Sequence, residues 1–463
     1  MINSATIDKN LIQQYQQCGP RYTSYPAAVH FHDGFNHRHY NDIARHTNED
    51  LIPSSLSLYL HIPFCRHVCF YCACNRIITN NSKKAASYLE NLRAEIRMQG
   101  KLFDRDRVVE QLHWGGGTPT FLDHDQIRKL MDTIRNNFSL REDDKGDYSI
   151  ELDPRELQGD TIHILRETGF NRISIGVQDF DPLVQKSINR VQTVEETQNV
   201  ILAARHENFH SVNVDLIYGL PGQTVKSFVE TLETVVALNP DRIAVYNYAH
   251  LPHLFKSQCQ IDENLLPTAE TRIEILQEFV KFLTAEGYLY IGMDHFARPN
   301  DDLVQAQLRG TLHRNFQGYS TRAGCDLVGM GVSAISSIGS SYAQNTRSLQ
   351  EYNDCIKNGK IPVMRGIKLD YDDLLRRDVI NKLICNFRIN YSDIEELHCI
   401  DFEDYFYDEL ISLEKMQDRG LLAMDSDSIV ITPKGRYLVR NICMVFDKYM
   451  TSSRFTGNFS RVI

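Results

Sequence analysis

In Leu56-Ser57-Leu58-Tyr59-Leu60-His61-Ile62-Pro63-Phe64-Cys65-Arg66-His67-Val68-Cys69-Phe70-Tyr71-Cys72-Ala73-Cys74, an alternation of apolar and polar residues passes directly into a loop with four cysteines in ten residues. Period-2 alternation over 56–61 predicts a strand, and the helix-like stretch at about 85–98 makes it the first half of a β-α unit. The succession then recurs, each switch marked by Gly, Pro or Asn: strand 109–114 with helix 125–138, 148–152 with 161–167, 172–177 with 194–207, 212–217 with 225–238, and 242–246 with 269–286. A further strand is predicted at 288–293. Repeated β-α units imply a parallel sheet with right-handed crossovers, as an open doubly wound sheet or a full or partial barrel. In either, chemistry gathers at the C-terminal ends of the strands.

Beyond this region the texture changes. The stretch to about 341 is Gly-rich and lacks a clear period, and after Pro362 helices are predicted at 372–384 and 402–418. Runs at 420–424 and 429–432 flank the turn Asp425-Ser426-Asp427-Ser428, and 433–449 reads as a helix with Pro433 near its first turn. Helices followed by a β-ribbon give a winged-helix-like shape, which says little about function by itself.

The composition excludes several classes. Of the 463 residues, 42% are hydrophobic and 24% charged, with only 25 Gly and 14 Pro, so disorder is not the main theme. No apolar run is long enough for a membrane span, and Met1-Ile2-Asn3-Ser4-Ala5-Thr6-Ile7-Asp8 has neither a basic nor an apolar leader region, so the chain reads as unexported. A net charge of −10 without a basic run argues against nucleic-acid binding. Eleven cysteines with four crowded together suggest metal or redox chemistry rather than a disulfide framework.

Cys65, Cys69 and Cys72 have Cys-x3-Cys-x2-Cys spacing. Three thiolates on one short loop can hold three corners of a 4Fe-4S cube and leave the fourth iron open to an external ligand. A zinc site is the alternative, but zinc usually draws two Cys or His pairs from separated segments, and no second such pair follows. Cys74 would close the cluster if it also bound iron. Gly115-Gly116-Gly117-Thr118-Pro119 after a strand either admits a ligand to the backbone or only makes a tight turn. Neither a Walker loop nor a G-x-G-x-x-G fingerprint is present. Glu151, Gln178 and Asp215 each end a predicted strand and are either aimed into a barrel mouth or are caps and satisfied core groups. Trp114 is expected to pack in the barrel. None of the 17 histidines, among them His61, His67, His113, His295 and His313, is assigned a catalytic role.

The Cys-x3-Cys-x2-Cys loop after a first strand resembles the radical S-adenosylmethionine superfamily. Gly19-Pro20-Arg21-Tyr22-Thr23-Ser24-Tyr25-Pro26, His61-Ile62-Pro63-Phe64-Cys65, Cys72-Ala73-Cys74-Asn75, His113-Trp114-Gly115-Gly116-Gly117-Thr118-Pro119-Thr120 and His313-Arg314-Asn315-Phe316-Gln317-Gly318-Tyr319 together resemble the oxygen-independent coproporphyrinogen III oxidase family. The likeness runs from about residue 10 to Ser460-Arg461-Val462-Ile463. It implies an α/β fold, a partial (β/α) barrel of the radical S-adenosylmethionine type at 55–345, between an N-terminal lid segment at 1–54 and a mostly helical, winged-helix-like C-terminal domain at 346–463.

The implied reaction is oxidative decarboxylation of two propionates of coproporphyrinogen III to vinyl groups in haem biosynthesis, giving protoporphyrinogen IX. By the same likeness Cys65, Cys69 and Cys72 carry the 4Fe-4S cluster, while Gly116, Gly117 and Thr118 hold the methionyl part of S-adenosylmethionine. Glu151, Gln178, Arg190, Asp215, Ala249 and Ile335 contact that cofactor, with Tyr59 and Tyr71 beside the cluster. The likeness further implies a low-potential electron donor, a cytoplasmic location and a monomer. A haem-binding chaperone and a haem-cleaving radical enzyme are the rival readings, although the chaperone usually lacks the Cys74-type cysteine and the Gly19–Pro26 segment. Four propionates require local cations, for which Arg21, Arg298, Arg314 and Arg388 are the candidates.

Overall fold

Strand β1 (Leu56–Ile62) shows why the alternation is only half a burial signal. Leu56, Leu58, Leu60 and Ile62 are buried on one face, and Ser57 and His61 are buried on the other. Both faces are covered, as parallel strands require. The same phase runs through β2 (Val108–Gly116), β3 (Asp147–Leu152), β4 (Arg172–Gln178), β5 (Ser211–Tyr218) and β6 (Arg242–Asn247). Apolar side chains face the outer helices, whereas Gln111, His113, Ser149, Glu151, Ser174, Asn213 and Asp215 line an interior cavity. Trp114 corrects the expectation made for it: fully buried and edge-on to Phe170 at 5.0 Å, it lies in the outward phase, between sheet and helices.

The computed structural model describes residues 17–450 together with 11, 14 and 15. The start of the lid segment and Ser460-Arg461-Val462-Ile463 lie outside the described residues. Each of the six β-α units forms, with helices at Ser82–Gln99, His124–Asn137, Thr161–Glu167, Val194–His206, Val225–Ala237 and Ala269–Ala285. Asp123, Thr193 and Thr224 cap three of these helices with reciprocal capping boxes. The chain then adds β7 (Leu289–Gly292) and β8 (His295–Ala297) as a hairpin, with β8 antiparallel to β6.

The stretch without a period holds the other side of the sheet. β9 (Asp326–Met330) pairs parallel with β1, and β10 (Ile335–Ile338), β11 (Ser341–Asn345) and β12 (Val363–Lys368) follow antiparallel. The strand path is β7-β8-β6-β5-β4-β3-β2-β1-β9-β10-β11-β12, with no pairing between its ends, so the barrel is partial. Gly329 illustrates why these strands carry little pattern: a Cβ there would lie 2.4 Å from the Ile335 carbonyl oxygen. The main sheet therefore continues past residue 345, to Lys368.

Beyond it lie helices Tyr371–Asn386, Tyr391–His398 and Tyr407–Gln417, and a three-stranded ribbon of Arg388–Asn390, Ser428–Ile431 and Leu422–Met424. The last predicted helix is shorter than 433–449. It is α-helical only over Val439–Val445, because Asp447 and Lys448 turn away to hold the N-terminal segment. Tyr22 donates to Asp447 Oδ2 at 3.0 Å, and the Lys448 N–H donates to the Tyr25 hydroxyl at 3.2 Å. Tyr22 and Tyr25 are buried, and His32 makes a β-bridge to Gly366. Among the described residues no helix is long and apolar enough to cross a membrane.

Candidate functional site

β1 ends at Ile62 and delivers Cys65 to the C-terminal rim of the sheet. The three-glycine loop after β2 is pinned against this segment: the Gly117 N–H donates to the Ile62 carbonyl and the Thr118 N–H to the Phe64 carbonyl, both at 2.8 Å. A Cβ on Gly117 would sit 2.7 Å from Phe64 O and Pro63 C. Gly116 has φ +116°, a conformation that favours glycine, and a Cβ on it would meet the His61 ring at 2.7 Å. Glycine is needed here first for close packing of two loops.

Cys65, Cys69, Cys72 and Cys74 all line one cavity of about 180 Å3, with Gly116, Gly117, Thr118, Glu151, Gln178, Arg190 and Asp215. Cys69 is buried, Cys65 and Cys72 half-buried, and Cys74 exposed. The Thr118 hydroxyl donates to Cys65 Sγ at 3.6 Å. Three arginines fix the loop. Arg190 donates to Asp153 Oδ2 at 3.0 Å, to the Gly176 carbonyl at 2.5 Å and towards Cys69 Sγ at 3.7 Å. Arg155 reaches Asp153 at 2.6 Å and Cys69 Sγ at 3.8 Å. Arg76 donates to the carbonyls of Cys72 at 2.7 Å and Cys69 at 3.2 Å. Burial raises the Asp153 pKa, but Arg190 and Arg155 outweigh it and hold the carboxyl below its ordinary range.

Two carboxylates near the cavity are tuned apart. Burial pushes Glu151 up, but His113 at 3.2 Å and the Gly116 N–H at 3.1 Å hold it below the usual range. His113 is fixed in turn by Ser149 at 2.6 Å. Asp215 is pushed up to about 6 by burial and the nearby Glu151, although Ser174 donates to it at 2.8 Å. Gln178 sits at a bulge with φ 73°, the kind of strained backbone that clusters at functional sites.

Other expected residues take different places. Tyr59 stacks on His113 at 5.9 Å and shares a 3.1 Å hydrogen bond with His61, behind the cavity wall. Tyr71 is a lining residue, and Ala249 lies beside its loop, because Gln258 Nε2 donates to the carbonyls of both. Ile335 packs instead with Phe31 and Tyr342, apart from the cavity lining. Of the four cation candidates, Arg21 and Arg314 meet, with Arg314 Nε 3.4 Å from the Arg21 carbonyl. Arg298 is tied to Glu286 O and Asn239, and Arg388 is exposed and donates to Asn390. Sequence reasoning missed Arg76, Asp153, Arg155 and Gln258. Local signals existed for three of them, since Asp153 directly follows a strand end with Arg155 two residues on and Arg76 lies four residues after Cys72; Gln258 is 187 residues from Tyr71 and had none.

The donor set fits the implied cofactors. Several thiols lining one cavity on a single short loop are what the corners of a 4Fe-4S cube need. Arg190 Nε is buried in the same wall without a hydrogen-bond partner, available to a polar ligand atom.

Residues 59–235 match the model of the radical SAM superfamily, and residues 369–438 match that of the HemN C-terminal domain. The chain is 50% identical over 463 residues to the oxygen-independent coproporphyrinogen III oxidase of Pseudomonas aeruginosa, covering 100% of both. It is 49% identical over 457 residues to that of Escherichia coli, covering 98% of each. The solved structure of coproporphyrinogen III oxidase (HemN) from Escherichia coli, described as a radical SAM enzyme, superposes with a TM-score of 0.90 at 47% identity, over 96% of this chain and 100% of that one. With full-length kinship at this level and a barrel whose rim gathers three thiols around one cavity, the chain belongs to the oxygen-independent coproporphyrinogen III oxidase family of the radical S-adenosylmethionine superfamily.

Proposed function

We propose that this chain converts two propionate side chains of coproporphyrinogen III to vinyl groups without oxygen, giving protoporphyrinogen IX, and that the residues around the 180 Å3 cavity carry the reaction. The supporting observation is the convergence there of Cys65, Cys69 and Cys72 with Gly116, Gly117, Thr118, Glu151, Gln178, Arg190 and Asp215, drawn from five strand ends and one helix-flanking loop. In this reading Cys65, Cys69 and Cys72 would hold the 4Fe-4S cluster and leave it able to bind S-adenosylmethionine. When bound, the reduced cluster and S-adenosylmethionine supply a 5′-deoxyadenosyl radical that can take a hydrogen atom from an unactivated carbon. Each propionate would give a hydrogen atom to that radical, release carbon dioxide and pass one electron to an external one-electron acceptor, leaving a vinyl group.

The protein's part is position and exclusion of water. Arg76, Arg155 and Arg190 hold the cysteine loop by its carbonyls and by Cys69 Sγ. Glu151 is kept ionised by His113 and the Gly116 N–H, and it accepts from ribose hydroxyls; Asp215 and Gln178 supply further polar contacts. Tyr71 walls the cavity, Tyr59 backs the loop through His61 and Asn75, and Ala249 lies against the loop through Gln258. Ile335, on the strand two places from β1 in the sheet, completes the cofactor contacts in this reading. The barrel domain extends to Lys368, where the C-terminal domain begins. A low-potential one-electron donor, a cytoplasmic setting and a monomeric chain complete the reading; the free described cysteines suit a reducing compartment.

The test is an anaerobic assay with coproporphyrinogen III, S-adenosylmethionine and a low-potential reductant. The expected products are protoporphyrinogen IX, carbon dioxide and 5′-deoxyadenosine. Tight stoichiometric haem binding with no conversion of coproporphyrinogen would replace this reading with the chaperone.

A further inference from the structure

The geometry points to Arg21 and Arg314 as a carboxylate clamp for the propionates that the reaction leaves intact, an inference that rests on the function proposed above. Arg314 is 7% exposed, and its Nη1 has no hydrogen-bond partner. It makes no ion pair among the described residues; its guanidinium lies 4.7 Å over the Tyr319 ring and its Nε only reaches the Arg21 carbonyl. A guanidinium cannot shed its proton, so a buried one without an anion is left with an unmet electrostatic demand.

That demand is not isolated. His295 Nδ1 and both polar atoms of the Gln317 side chain are also buried without partners, and all belong to two short segments that meet at Tyr319 and Arg314. Burial and the charges of Arg314, Arg21 and Arg242 push His295 down to about 3, so it stays neutral and adds no cation of its own. The one anion facing this cluster is Asp294, 3.2 Å from Arg21 Nη2. Among the described residues Asp294 pairs with Arg21 alone, and Arg440 adds a third positive charge beside Arg21 and Arg314, so the cluster has room for an incoming carboxylate, which a guanidinium can grip through two parallel N–H bonds.

The place suits the substrate. His295, Gln317 and Tyr319 line the barrel's interior cavity together with Glu151, Ser174 and Asp215, and these last three also line the cavity of the cysteine loop. A second cavity of about 340 Å3 lies against Arg314 from the side of Tyr22 and Tyr25. Arg314 thus borders the interior through Tyr319, whose ring it covers and which lines that cavity, while the cofactor residues line the cavity of the cysteine loop. A molecule with propionates on opposite sides can be gripped at one side while it reacts at the other. Arg298 and Arg388, tied elsewhere, take no part.

The experiment titrates the cluster-loaded enzyme with coproporphyrin III, a non-reacting tetracarboxylate, and with its tetramethyl ester, both followed by fluorescence. It is paired with anaerobic kinetics on coproporphyrinogen III. The native enzyme should prefer the acid. Arg314→Gln and Arg21→Gln should each weaken acid binding at least tenfold, leave ester binding unchanged, and raise KM at least tenfold with a smaller change in kcat. Arg314→Lys should recover part of the loss. Native-like acid affinity in both Gln variants, or equal weakening for acid and ester, overturns the clamp. If Arg314→Gln fails to fold, judged by lost cluster absorption, Arg21→Gln decides, because its side chain is 33% exposed. Arginine-dependent acid binding in an enzyme that never converts coproporphyrinogen would sink the proposed function and leave the clamp standing.

Discussion

Gly117→Ala is the smallest change that tests how the cysteine loop is built. The added Cβ would lie 2.7 Å from Phe64 O and Pro63 C and 2.9 Å from Phe64 N, whereas ordinary contact begins near 3.4 Å. These are backbone atoms, so no side chain can rotate away, and the two loops must separate by about 0.7 Å. The motion strains the hydrogen bonds from the Gly117 and Thr118 N–H groups and shifts the segment that carries Cys65. Overpacking of this kind costs about 1–3 kcal/mol. Displacement approaching 1 Å at a reacting centre costs about 10²-fold in rate. We expect Gly117→Ala to fold with a modestly lowered Tm, to hold less iron and sulfide after anaerobic reconstitution, and to cleave S-adenosylmethionine about 10²-fold more slowly. Gly115→Ala is the control: its Cβ would meet side-chain atoms only, Glu151 Oε1 at 2.6 Å and His113 Nε2 at 3.1 Å, so it should disturb the Glu151–His113 pair and slow cleavage while the cluster loads normally. Native iron content and native cleavage in Gly117→Ala would refute the idea that contact between the loops positions the thiols.

Cys69→Ser should lose the cluster and all cleavage of S-adenosylmethionine, whereas Cys74→Ser should keep the cluster even if turnover falls; equal iron loss in both would mean a closed, four-thiolate cluster. The reconstituted protein should contain one oxygen-sensitive 4Fe-4S cluster, and stoichiometric zinc with no iron-dependent spectrum after anaerobic purification would contradict it. Arg190→Met should destabilise the fold by about 3 kcal/mol, the low end for breaking a buried pair, because Arg155 still neutralises Asp153; a chemical denaturation curve unchanged from the native one would count against the loop-locking role. Asp215 stays protonated in the folded chain up to about pH 6, but in the unfolded chain only to about its ordinary 3.8, so folding stability is lost as pH rises through that window. Asp215→Asn should remove a loss of about 2 kcal/mol between about pH 4 and pH 7, seen in denaturant midpoints; an identical pH profile for the variant and the native chain would show that Asp215 is not the group.

The repeating β-α pattern and the thiol spacing were legible because both are local. Period-2 runs ending in Gly, Pro or Asn mark strands, their regular alternation with helical stretches marks the sheet as parallel, and Cys65, Cys69 and Cys72 lie within one loop. Glu151, Gln178 and Asp215 could be placed near the rim because strand ends in such folds converge there. The strands from Asp326 to Lys368 escaped notice, since they are short and follow no β-α rhythm, three of them running antiparallel to their neighbours, and the parallel pairing of β9 with β1 joins residues some 270 apart. Chain distance also hid the locks on the cysteine loop: nothing near Arg190 announces Asp153, and nothing near Tyr71 announces Gln258. The sequence by itself determined which residues can make a cluster loop and on which strands the polar interior lies. Only the tertiary structure decided that Arg21 and Arg314 meet while Arg298 and Arg388 do not, because electrostatic and hydrogen-bond partners are set by three-dimensional distance, which local periodicity does not encode.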